Sequence, residues 1–230
     1  MRINKYLALK KHSTRRGADE LIKEKKVFIN GKLAVLGDKV NADDNVEVKF
    51  RGKQRPYIYI AYNKPVGVVT HSPEGDQKDI KQELKYKDEA VFPIGRLDKD
   101  SHGLIILTND GRITERLLGP EHSHEKEYLV KVKGVLRNNF KEKMEAGVKI
   151  DADMTAKCKV HILNKNTFKV ILTEGKKHQI RRMCVALFQE VEDLKRIRIM
   201  NIELGNLKEG EHRKIEGEEL TTLLRSLDLA

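Results

Sequence analysis

The chain has 230 residues, 39% hydrophobic and 35% charged, enough apolar content for a substantial core beneath a heavily solvated surface. Its net charge of +11 favours a polyanionic partner, and no apolar run approaches the ~18 residues of a membrane-spanning helix. Residues 1–11 mix basic and apolar types without the hydrophobic block of a signal peptide, and Cys158 and Cys184 form no CxxC pair, so a reduced, cytoplasmic protein off the membrane is expected.

The charge is unevenly spread. Residues 1–56 hold 15 Lys and Arg against 7 Asp and Glu, a net of +8, which leaves +3 for the remaining 174 residues. A small basic module is therefore expected at 1–50, a linker at 51–56, and a larger, nearly balanced module at 57–230. Ile3, Tyr6 and Leu7 have helical spacing, with Arg2, Lys5, Lys10 and Lys11 around them. Ser13 or Thr14 can cap a second helix through Ile22, with Arg15 and Arg16 in its first turn, where a phosphate would meet both the helix dipole and the cations. Val27-Phe28-Ile29, Asn30-Gly31 and Lys32 to Val35 make a hairpin signal. Val46, Val48 and Phe50 alternate as a further strand. A basic face spread over two helices and a hairpin favours RNA contact over a merely solvated surface.

In the larger module, Tyr57 to Tyr62 reads as a strand, Asn63 to Gly67 as a turn into Val68-Val69-Thr70, and Asp79 to Leu84 as a short helix. Gly103 to Leu107 suits a buried strand. Tyr128 to Val132, Lys157 to Ile162 and Phe168 to Leu172 are further strand segments. Asn138 to Ala146 and Gln179 to Phe188 have helical spacing. Arg196 to Ile202 alternates cations with isoleucines, and Glu218 to Leu229 closes as a helix. Many strands with scattered helices and no βαβ repeat predict an α+β fold with a mostly antiparallel mixed sheet flanked by helices.

Chemistry-bearing motifs are few. The sequence has no P-loop, Rossmann fingerprint or nucleophile elbow, and its eight histidines lack metal-binding spacing, so no metal is expected. His122 and His124 read as surface histidines in a loop opened by Gly119-Pro120-Glu121. Two constellations stand out. Gly95-Arg96-Leu97-Asp98 sets a carboxylate beside an arginine just before an apolar strand. Glu174-Gly175-Lys176-Lys177-His178-Gln179-Ile180-Arg181-Arg182-Met183 brings a glycine loop into a cationic helix start. Taken singly, the first reads as a turn, the second as a surface helix and Tyr128 as a core aromatic.

In combination they resemble a known family. Asn63-Lys64-Pro65-Val66-Gly67, Gly95-Arg96-Leu97-Asp98 with Leu107-Thr108-Asn109-Asp110-Gly111, Lys126-Glu127-Tyr128, and His178 to Met183 resemble, in this order, the pseudouridine synthases of the RsuA/RluB/RluE/RluF group. Arg2 to Leu7, Ser13 to Asp19 and Val27 to Lys32 resemble an S4 RNA-binding domain. The resemblance implies that Asp98 is the catalytic aspartate and that Tyr128 stacks on the target uracil. It implies that Arg181 pairs with the carboxylate and that Arg96, Leu97, Lys99, His178, Gln179 and Ile180 face RNA. On the S4 module, Arg2, Lys5, Arg15, Arg16 and Lys32 would contact the RNA backbone. Asp100 and Asp110 are expected to be structural. Asp98 to Ser101, Glu125 to Val130, Arg182-Met183-Cys184 and Ile199-Met200-Asn201 look most like the RluF type, implying a uridine in large-subunit (23S) ribosomal RNA and a possible second target in a tRNA anticodon loop. An isomerisation of this kind implies no cofactor, and a monomer is expected. Rival readings are a small-subunit RNA synthase of the same fold and a non-catalytic RNA-binding protein of ribosome assembly. A pure binder has no use for a carboxylate in an RNA-facing cleft.

Overall fold

A computed structural model describes residues 1–10, 12–13, 15–49, 56–84, 91–119 and 122–230. Lys11, Thr14 as the alternative cap, the Phe50 end of its strand, linker positions 51–55, and Pro120 and Glu121 lie outside the described residues. The chain divides into two compact units, Met1–Tyr57 with Asp110–Glu115, and Ile58–Asn109 with Arg116–Ala230.

The first unit opens with helices α1 (Ile3–Leu9) and α2 (Arg15–Lys23). Ile3 and Leu7, like Ala18 and Ile22, stand four apart, so each pair falls on one helix face. Together with Val27, Ala34 and Val40 they form the buried core. Strands β1 (Val27–Ile29), β2 (Lys32–Leu33) and β3 (Val46–Val48) pair antiparallel in the order β2-β1-β3. Asn30 and Gly31 both have positive φ, 49° and 75°, which a two-residue hairpin of matching twist requires. Asn4 Nδ2 donates to Asp19 Oδ1 at 2.9 Å and ties the helices together.

The second unit follows the order β4 (Tyr59–Lys64), α3 (Ile80–Glu83), β5 (Phe92–Ile94), β6 (His102–Thr108), α4 (Arg112–Leu118), β7 (Lys126–Val132), α5 (Phe140–Glu145), β8 (Lys149–Ile150), β9 (Asp153–Met154), β10 (Lys159–Asn164), β11 (Thr167–Leu172), α6 (Gln179–Ala186), β12 (Val191–Ile199), β13 (Ile202–Glu203), β14 (His212–Lys214) and α7 (Gly217–Ser226), with α4 crossing the division between the units. Among the described residues, the main sheet runs β10-β11-β7-β12-β6-β4-β14, with β13 on β12 and β5 on β6. β12 and β6 pair in parallel and the other neighbours pair antiparallel, giving the expected mixed sheet.

One core packs α5 and α6 against β7, β10, β11 and β12 through residues such as Phe140, Met144, Phe168, Val170, Ile180 and Met183. Another gathers Ile60, Tyr62, Ile80, Ile105 and Leu107. Asp79 caps α3 through a reciprocal capping box with Gln82. Both cysteines are free, and burial pushes their thiols up to about 11 for Cys158 and about 12 for Cys184. Among the described residues, no helix is long and apolar enough to cross a membrane.

Two sequence expectations need correction. Asn63 and Lys64 are buried strand residues of β4 rather than a turn. The loop at 207–211 holds Asn63, whose Nδ2 donates to the Leu207 carbonyl at 2.8 Å. The expected strand at 196–202 is a hairpin: β12 begins at Val191, Met200 adopts φ 51°, and Ile199 pairs with Ile202.

Candidate active site

The Asp98 loop spans residues 95–101, between β5 and β6. The buried Thr70 hydroxyl donates to the Leu97 carbonyl at 2.8 Å and accepts from the Leu97 amide at 3.0 Å. Gly67 N donates to Lys99 O at 2.9 Å, and Ser101 N donates to Asp98 O at 3.0 Å. Leu97 is buried and plugs the loop into the unit. This backbone is fixed before any ligand arrives, so its ordering cost falls on folding rather than on binding. Asp98 keeps a side chain that is 36% exposed.

Strand register places the surrounding groups. One row across the sheet reads Val170, Tyr128, Arg196, Gly103 and Lys64, on β11, β7, β12, β6 and β4. Gly103 has φ 102°, and a Cβ there would lie 2.3 Å from the Arg196 carbonyl oxygen, so only glycine lets β6 and β12 approach this closely. Tyr128, between Val170 and Arg196 in the row, is half-buried against the core. Arg196 is buried and donates through Nε to the Leu104 carbonyl at 2.7 Å, with Nη1 3.5 Å from the Arg96 carbonyl in the Asp98 loop. Lys64, wholly buried, donates through Nζ to the carbonyls of Pro65 at 2.9 Å and Val68 at 2.6 Å. Burial pushes its ammonium down to about 8; Asp98 pulls the value back up and Arg196 lowers it further.

From the other side comes the start of α6. His178 has a left-handed backbone, φ 51°, and its Nε2 lies 3.4 Å from Asp98 Oδ1. Arg181 donates through Nη2 to the Asp100 carbonyl at 2.7 Å and reaches Ser101 Oγ at 3.4 Å. The contacts of Arg181 in this structure are thus with the loop that carries Asp98. The guanidinium satisfies an open carbonyl of the loop, and His178 stands against the carboxylate.

The remaining candidates divide by burial. Arg96, Lys99 and His178 are exposed, as are Arg2, Lys5, Arg15, Arg16 and Lys32 in the other unit. Leu97, Gln179 and Ile180, also expected near the RNA, have buried side chains. Gln179 accepts from Lys176 N at 2.9 Å and donates to Glu174 Oε1 at 2.6 Å, tying the glycine loop to the helix, while Ile180 packs in the core. Asp110 is fully buried and takes a two-point contact from Arg112 Nε and Nη2, both at 2.8 Å, a structural part as expected. Sequence reasoning missed Thr70, Lys64 and Arg196. Lysine before proline read as a turn, and Arg196 read only as one of the cations that alternate with isoleucines along a strand. The available signal was Gly103, whose need for a close neighbour marks the strand that passes beside the loop.

Two clefts include some of these groups. One, of about 370 Å³, is lined by Gly67, Val68, Asp76, Gln77, Lys78 and Lys99. The other, of about 350 Å³, lies along α6 and the β8–β9 hairpin and includes His178, Arg181 and Arg182.

Comparison with known proteins bears on what such a site does. The sequence profile of the RNA pseudouridylate synthase family matches residues 58–186, and that of the S4 domain matches residues 1–46. The chain is 41% identical over 231 residues to the dual-specificity RNA pseudouridine synthase RluF of Salmonella typhi, covering 99% of this chain and 80% of that protein. It is 35% identical over 231 residues to the ribosomal large subunit pseudouridine synthase B of Bacillus subtilis strain 168, covering 96% and 95%. A crystal structure of a pseudouridylate synthase superposes with a TM-score of 0.72 at 29% identity, covering 97% and 99%.

Proposed function

The chain belongs to the RNA pseudouridylate synthase family, with an S4 domain in front, and on that premise we propose which RNA it modifies and through which residues. The substrate is a uridine of large-subunit ribosomal RNA. The name of its Bacillus relative supports this target, and the dual specificity named for the RluF relatives supports a second RNA target, which we take to be a tRNA anticodon-loop uridine. The protein works as a cytoplasmic monomer, with an S4 module at 1–50, a linker at 51–56 and a catalytic module at 57–230.

In this reaction the C1′–N1 bond of uridine breaks and a C1′–C5 bond forms; the C5 proton leaves and N1 ends protonated. Substrate and product have the same composition, so the overall change consumes no oxidant, reductant or nucleotide. A uridine within a duplex must first be extruded, and Tyr128 replaces the stacking it loses. Asp98 then attacks C1′ or C6 or removes the C2′ proton, and Tyr128 helps to take the C5 proton. The partly exposed Asp98 carboxylate on a doubly pinned loop is the observation that carries this reading. His178 faces the carboxylate as a cation when protonated, while buried Lys64 and Arg196 supply positive potential from the sheet side. Arg181 fixes the loop through the Asp100 carbonyl. Arg96, Lys99 and His178 contact the RNA around the target, whereas Leu97, Gln179 and Ile180 hold the loop and the helix start. Arg2, Lys5, Arg15, Arg16 and Lys32 take backbone phosphates, which position the RNA without reading its sequence.

The test is to incubate the protein with transcribed large-subunit RNA, small-subunit RNA and tRNA, then map pseudouridine by carbodiimide-blocked primer extension. A new stop in the large-subunit RNA is expected. A stop confined to small-subunit RNA would overturn the target assignment.

A further inference from the structure

The cleft along α6 has a composition that the isomerisation itself does not require. Its lining is Lys149, Ile150, Asp151, His178, Arg181, Arg182, Val185 and Ala186. Lys149 and Val185 are exposed, Val185 to 65%, so a cation and an aliphatic face are both open to solvent in this cleft. The wall opposite α6 is held in place. Asp151, at the β8–β9 turn with φ 54°, pairs with Arg182, and Asp153 on β9 pairs with Lys176 at 3.2 Å. The Arg182 contact neutralises Asp151, the lining carboxylate that would otherwise repel a phosphate. His178 belongs at once to the cleft and to the surroundings of Asp98, 3.4 Å from its carboxylate, and Arg181 bonds the Asp98 loop. The cleft is therefore continuous with the catalytic site.

We infer that this cleft is a nucleotide subsite for the RNA residue next to the extruded uridine, with its base on Val185 and Ala186 and its phosphate toward Lys149. The inference rests on the catalytic reading of Asp98. A cationic rim draws the backbone, and an exposed aliphatic floor accepts any base face, so the subsite positions the strand with little sequence preference.

The test uses the full-length protein, a fluorescently labelled transcript of the large-subunit RNA segment that it modifies, and salt-dependent binding. Lys149→Gln is expected to weaken binding about three- to tenfold and to lower the slope of log Kd against log salt by about 0.7–0.9, one phosphate contact. Val185→Gln, which changes no charge, is expected to weaken binding by a similar factor at unchanged slope. Both positions are exposed, and unaltered unfolding midpoints check that the fold is kept. Wild-type affinity in Val185→Gln would overturn the subsite, even if Lys149→Gln weakened binding, because long-range attraction alone would then explain the cation. Asp98→Asn separates the two readings. If it still made pseudouridine the catalytic assignment would fail, whereas normal binding by both cleft variants would remove the subsite alone.

Discussion

Lys64 shows how a single residue ties the stability of the fold to the proposed chemistry. Its ammonium is wholly buried and bonded to two backbone carbonyls, yet Asp98 is among the charges that act on it. Burial holds its value at about 8, below the ordinary 10.5. Between these two values the unfolded chain binds the extra proton, so rising pH relieves a cost and the contribution of this group to stability grows. Below about pH 8 the lysine is charged in both states and its penalty is constant. Turnover should run the other way, falling above about pH 8 as Asp98 loses a neighbouring cation. Lys64→Met should therefore flatten the alkaline rise in stability seen by denaturant unfolding between pH 8 and 10.5. An identical rise in the variant would contradict this account of Lys64.

At the scale of elements, the close approach of β6 and β12 sets the site. Gly103, at φ 102°, faces the Arg196 backbone across a parallel pair, and any Cβ there collides with a carbonyl oxygen. Gly103→Ala should cost on the order of 3–5 kcal/mol, from left-handed strain together with steric overlap. The urea midpoint should fall while the m-value stays constant; an unchanged midpoint would refute this packing argument. The same elements show what the sequence could and could not reveal. The helices at α1, α2, α5, α6 and α7 were legible because their apolar residues repeat at helical spacing, and the β1–β2 hairpin because Asn-Gly dictates its turn. The short strands β5, β8, β9 and β14 were not, since two or three residues carry no period. The loop bearing Asp98 was legible from its residue types. The partner of the carboxylate was not, because the choice between His178 and Arg181 depends on a left-handed helix cap and an open carbonyl 81 residues from Arg181. Likewise, the buried state of Arg196 follows from its neighbour across the strand, which alternation along one strand cannot disclose.

For the whole molecule, the division of charge anticipates a division of labour. The basic first unit exposes Arg15 and Arg16 at the start of α2, and the second unit holds Asp98. Replacing both with Arg15→Gln and Arg16→Gln in the full chain should weaken RNA binding and reduce the salt slope by roughly 1.4–1.8, equivalent to two phosphates. Slopes that match wild type would show that these cations make no phosphate contact. The isomerisation should still depend on Asp98, and that dependence is the most direct measurement available. Wild-type and Asp98→Asn proteins would be incubated with transcribed large-subunit RNA and assayed by carbodiimide-blocked primer extension, with RNA binding measured in parallel. The expected result is a pseudouridine stop with the wild type and none with Asp98→Asn at comparable RNA affinity. An undiminished stop with Asp98→Asn would contradict the assignment of this carboxylate to the chemistry.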